Sequence, residues 1–108
     1  MPRTAFVTPL PKDADKYVRL IKPDDSVRFH SGYVTLQPGE SVGEHSTQGN
    51  EEIIVVLQGE GEARAESIPS PLSFRAPAIV YMPPHTIHNM TNTGAEPLRY
   101  VFTVAPVE

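Results

Sequence analysis

His45 and Glu52 stand seven residues apart, with the turn-rich segment Ser46-Thr47-Gln48-Gly49-Asn50 between them and the β-branched run Ile53-Ile54-Val55-Val56 behind. Imidazole and carboxylate are ligands that divalent metals take readily. A turn between two strands lets such a pair, distant in sequence, point into one cavity. Far along the chain, Pro83-Pro84-His85-Thr86-Ile87-His88-Asn89-Met90-Thr91-Asn92 offers another histidine just after a proline-rigidified turn. A returning strand could bring it beside the first pair. The stretch 39–59 therefore reads as a metal site on a hairpin, completed from the other end of the chain.

The elements that must position these residues are short. The 108 residues suffice for one domain with a single core. Twelve prolines and seven glycines, spread along the chain, disfavour long helices and favour many short strands joined by turns. An all-β sandwich or barrel follows. The net charge of −4 comes from scattered charges of both signs, with no basic block to track a phosphate backbone, so nucleic acid is excluded as a partner. No apolar run approaches the roughly 20 residues of a membrane span, and the start lacks the apolar core of a signal peptide, so a soluble, cytoplasmic protein is expected. The chain has no cysteine, so any metal must be held by histidine, carboxylate or neutral oxygen.

Strands are expected at 4–8 and 17–21, separated by a polar turn over 9–16. Together, residues 1–22 form N-terminal edge strands or an arm reaching a partner subunit, and 27–105 form the barrel core. Within that core, 27–37 is a strand whose Gly32 points to a bulge or a close backbone approach. The unbroken run 52–58 reads as a strand covered on both sides, with Glu52 sharing a face with Ile54 and Val56. A carboxylate heading an apolar face is costly unless a cation stands beside it. Glu51 is its exposed neighbour. Residues 62–68 read as a solvent-facing strand, followed by strands at 72–74, 79–82, 86–91 and 98–105. His88 and Met90 share a face.

Beyond single residues, the order Pro38-Gly39-x5-His45-x-Thr47-x4-Glu52-x6-Gly59, then Pro83-x-His85-x2-His88-x3-Asn92, resembles the paired motifs of the small single-domain cupin family. The chain departs from that pattern twice: Thr47 replaces a second motif histidine, and His85 replaces a turn glycine. The resemblance implies a small jelly-roll β-barrel of two packed antiparallel sheets, in many members a homodimer, with one divalent metal inside. It implies His45, Glu52 and His88 as metal ligands, with Thr47 at the vacant fourth ligand position. Two histidines and one carboxylate match the facial triad of non-haem iron sites, and iron, manganese, nickel and zinc all suit the donors.

His85 reads as a turn residue at the barrel mouth and Asn92 as a turn residue rather than a ligand. His30 is either a strand histidine satisfied by hydrogen bonds or a replacement imidazole. Tyr33, Tyr81 and Tyr100 read as core or rim aromatics, one of which could be a proton donor near the metal; Tyr33, Tyr81 and His30 are the candidate catalytic residues. Three functions stay open: a metal-dependent isomerase, lyase or dioxygenase acting on a small sugar, hydroxy acid or keto acid; a non-catalytic module that senses or stores a small-molecule ligand; and a metal-free barrel.

Overall fold

The structure is a computed structural model that describes residues 3–11 and 16–108. Its strands are β1 (Tyr17–Ile21), β2 (His30–Leu36), β3 (His45–Ser46), β4 (Asn50–Gln58), β5 (Glu60–Ala65), β6 (Leu72–Arg75), β7 (Ala78–Met82), β8 (Ile87–Asn92) and β9 (Leu98–Pro106). Among the described residues, no helix is long and apolar enough to cross a membrane.

Two antiparallel sheets carry these strands, one ordered β1-β2-β9-β4-β7 and the other β3-β8-β5-β6. The late strands β9 and β8 each insert between early ones, which is jelly-roll connectivity. The sheets share no ladder, so the barrel is a sandwich rather than a closed cylinder. Period-2 alternation places one face of each strand between the sheets. Leu36, Ile54, Val56, Met82, Met90 and Leu98 fill that space and are almost wholly buried.

Several expectations are corrected here. Residues 4–8 form no strand; Val7 is 92% exposed and prolines follow at 9 and 11. Of the turn expected over 9–16, residues 12–15 lie outside the described residues. The second strand starts at His30 rather than at 27, because a local turn is closed by the Lys22 amide on the Asp25 carboxylate (2.9 Å) and by the Ser26 hydroxyl on the Phe29 carbonyl (2.6 Å). Gly32 does serve a close approach: a Cβ there would lie 2.8 Å from the Phe102 ring and 2.9 Å from the Tyr17 ring.

β4 is covered on one side only. Ile53, Val55 and Leu57 are 46%, 37% and 43% exposed, and Ile79 and Tyr81 on the neighbouring β7 face outward with them. An uninterrupted apolar run cannot by itself report whether a second layer lies over the sheet. β5 ends at Ala65 and is not wholly solvent-facing, because the small residues Gly61 and Ala63 turn inward beneath the opposite sheet.

Candidate metal centre

The two sheets contribute to the site from opposite sides. Glu52 lies near the start of β4, between Val104 of β9 and Met82 of β7, and its parity with Ile54 and Val56 sends its carboxylate inward. It is 7% exposed. His88 points inward from β8 in the facing sheet, and β3 pairs His45 directly against it. Their rings lie 4.3 Å apart between centroids. β3 and β4 therefore do not form the expected hairpin. The turn between them, held by the Asn50 amide on the Thr47 carbonyl (3.0 Å), carries the chain from one sheet to the other. One ligand atom from each of His45, Glu52 and His88 lies within 4.8 Å of the others.

The hydrogen bonds of the rings set which nitrogen faces inward. Nδ1 of His45 lies 2.8 Å from the Gly43 carbonyl, and Nδ1 of His88 lies 3.1 Å from that of Thr86. A ring nitrogen against a carbonyl oxygen carries the proton, which leaves Nε2 of each ring as the nitrogen that could ligate an ion. Nε2 of His88 is 3.1 Å from Glu52 Oε1. Two imidazoles, one carboxylate and backbone carbonyls orienting the rings suit a divalent ion, and the cluster could hold one.

Burial works against a charged His88, but the hydrogen bonds to Glu52 and to the Thr86 carbonyl, and the Glu52 charge, outweigh it. The ring's pKa is held above the ordinary value of 6.5. In the metal-free protein this contributes stability that is fully present below 6.5 and is lost as pH rises through the folded value. Metal uptake would run the opposite way, because a proton and a metal would compete for Nε2. Affinity is expected to rise at least about tenfold per pH unit up to the folded pKa of His88, with at least one proton released per ion below it. Calorimetric titration in buffers of different ionisation enthalpy measures both.

Thr47 is buried and fully engaged in the wall. Its hydroxyl donates to the Pro83 carbonyl (2.7 Å) and accepts from the Thr86 amide (3.1 Å). It thereby locks the turn after β3 to the entry of β8, and so holds His45 and His88 in register. Thr47→Val keeps the shape and leaves two backbone groups unsatisfied. It is expected to cost about 1–3 kcal/mol in thermal or denaturant unfolding, with metal affinity falling less than in His45→Ala.

A cavity of about 510 Å³ opens beside the three residues. His30 lines it, while Tyr33 and Tyr81 do not. Tyr33 lies on the opposite face of β2, and Tyr81 points outward and donates to Glu51 (2.8 Å). That hydrogen bond, with desolvation and the Glu51 charge, raises the Tyr81 pKa. Tyr100, with Tyr17 of β1, lies on the cavity wall. Burial first, then the Glu52 charge, pushes its pKa well above the ordinary range, so the phenol stays protonated and serves as a donor rather than a base. His85 stands away from the cavity lining, its backbone in the left-handed region (φ 53) and its amide on the Gln48 carbonyl (2.6 Å). Asn92 is buried at the end of β8 rather than in a turn, donating to the Leu36 and Glu96 carbonyls and accepting from the Gly94 amide.

Sequence reasoning missed Arg19 and Tyr17 on the cavity wall. Their shared parity on β1 was visible, but not that β1 would lie along β2 and bring these two exposed side chains to the cavity.

The sequence model for the cupin domain matches residues 32–104. No curated protein matches the chain. Among solved structures, an RmlC-like cupin family protein with a double-stranded β-helix fold from Methanocaldococcus jannaschii superposes with a TM-score of 0.78 at 20% identity, covering 97% of this chain and 94% of that one. A predicted oxalate decarboxylase from Thermotoga maritima gives 0.77 at 22% identity, over 84% and 79%. The cupin domain of Schizosaccharomyces pombe Cnp3 gives 0.75 at 20% identity; the match covers 83% of this chain but only 63% of the Cnp3 chain. At these identities the likenesses are of fold. With the motif residues on facing strands and the family match spanning most of the chain, this protein belongs to the cupin domain family.

Proposed function

We propose that this chain is a cytoplasmic, metal-dependent cupin enzyme acting on a small oxygen-rich metabolite such as a sugar, hydroxy acid or keto acid, by isomerase, lyase or dioxygenase chemistry. The observation that carries the reading is the convergence of His45, Glu52 and His88 from two sheets beside a cavity of about 510 Å³, a size suited to a small molecule. A divalent ion held there would supply a Lewis acid to polarise a carbonyl or carboxylate, or to activate water or oxygen. The chain's own groups have separate tasks. Glu52 and His88, both buried, anchor the interior side, while the exposed His45 leaves the approach from the cavity open. Val34, Ile54 and Met90 exclude water from the cavity floor, and Tyr100 offers a protonated hydroxyl to a bound oxygen atom.

Iron, manganese, nickel and zinc remain the proposed metals. Elemental analysis of untagged protein tests the first step, with close to one ion per chain expected. Turnover on a panel of small acids and sugars, abolished in Glu52→Gln, tests the second. One observation favours a metal-free barrel instead: Glu52 is already paired with His88 at 3.1 Å, so its burial is compensated without an ion. A sample that carries no metal and refuses added metal would establish that reading. Metal uptake with no turnover on any panel member would favour a module that binds or senses its ligand. The expected homodimer is carried forward in the same proposal and is read out by light scattering in solution.

A further inference from the structure

Arg19 lines the cavity that holds the three candidate ligands, yet it comes from the edge strand β1 and belongs to neither motif. Its register partner on β2 is Gly32, which presents no side chain opposite it, and the ladder shifts immediately beyond, between Arg19 and Ile21. Such an irregularity re-aims side chains at a sheet edge. Among the described residues Arg19 enters no ion pair: the ion pairs there are Arg75 with Glu60 and His88 with Glu52. Tyr17, Val34 and Phe102 give the cavity apolar wall, and Tyr17 and Phe102 stack at 5.9 Å. The other lining carboxylate, Glu44, is exposed at the rim, where it also borders a surface groove with Arg64.

We propose that this cavity selects a small acid bearing two carboxylates, one held at the His45, Glu52 and His88 centre and the second received by Arg19. The proposal rests on the metal reading above and names its ligand class. The charges favour it. A divalent ion on a single carboxylate leaves one net positive charge at the centre, and the guanidinium adds another, so a dianion is matched and a neutral sugar is not. Guanidinium is suited to the second carboxylate because its planar fork donates two parallel hydrogen bonds.

The test is a calorimetric comparison of matched acids on the metal-loaded protein: malate against 2-hydroxybutanoate, and 2-hydroxyglutarate against 2-hydroxypentanoate. Each pair differs only in a distal carboxylate against a methyl group. The diacid of at least one pair is expected to bind about tenfold more tightly or better, the scale of a hydrogen bond to a charged group. Arg19→Gln should erase most of that ratio, and Arg19→Lys should retain part of it, with metal content unchanged in both and monoacid binding weakened less than diacid binding. Equal binding within both pairs, or a ratio that survives Arg19→Gln, overturns the proposal. Elemental analysis separates this from failure of the metal reading. If the protein takes up no metal, the same titrations on the metal-free chain decide: a diacid preference lost in Arg19→Gln upholds the arginine's role, and its absence rejects it.

Discussion

His88→Ala is expected to lower metal affinity by roughly a hundredfold or more and also to destabilise the fold. Removing a group that merely orients a ligand already costs about 10–100-fold, and His88 would be one of three direct donors. The structural cost has a separate origin. Glu52 is buried, and His88 Nε2 at 3.1 Å is its ion-pair partner, so truncation strands a carboxylate in the core. Breaking such a pair from one side costs about 3–5 kcal/mol. His45→Ala separates the two effects. His45 is exposed and its second nitrogen is anchored only on the Gly43 carbonyl, so it should lose metal with little change in stability. His85→Ala should do neither, since His85 lies away from the cavity lining. Metal content of untagged protein and denaturant midpoints measure both quantities. Equal metal retention in His45→Ala and His85→Ala would remove His45 from the site.

The largest effect outside the site is expected from Gly61→Ala. Gly61 is buried on β5, and its register partner is Asn92 on β8. A Cβ at this position would press on the Thr91 carbonyl oxygen, with the Phe74 ring at 2.9 Å and a Leu98 methyl at 3.1 Å. The side chains can yield by rotation, but the carbonyl belongs to the neighbouring strand and yields only if β5 and β8 part. Overpacking of this kind costs about 3 kcal/mol, which lowers the melting temperature of a domain this size by roughly 10–20 °C. Because β8 carries His88, metal affinity should fall as well. Gly49→Ala is the control: nothing lies within 4 Å of its added Cβ, and it should change stability by less than about 0.5 kcal/mol. A Gly61→Ala protein that melts with the unaltered chain would show that the ladder accommodates the methyl group.

Most of the strands were legible because alternation and punctuation are local signals. Glu52, Ile54 and Val56 share an inward face by parity alone, and the Pro83-Pro84 pair ends β7 because proline brings no amide to a ladder. Where local signals gave out, the cause was pairing. Residues 4–8 have strand-like composition but pair with no strand among the described residues, while the two-residue β3 has almost no composition signal and exists because β8 pairs with it. Thr47 shows the same limit. Its type marked a missing imidazole, but only the contact with Pro83 and Thr86 shows what the hydroxyl does instead.

By itself, then, the sequence determined an all-β chain with two motifs carrying His45, Glu52 and His88, because residue type, parity and spacing are properties of a single strand. The tertiary structure decided that Glu52 belongs to one sheet and both histidines to the other, and that His30, Tyr100 and Arg19, but not Tyr33 or Tyr81, reach the shared cavity. The physical reason is that a sandwich brings together the inner faces of strands far apart in the chain. Which residues meet across that gap depends on strand order and register, set by the summed packing of both sheets rather than by any one segment.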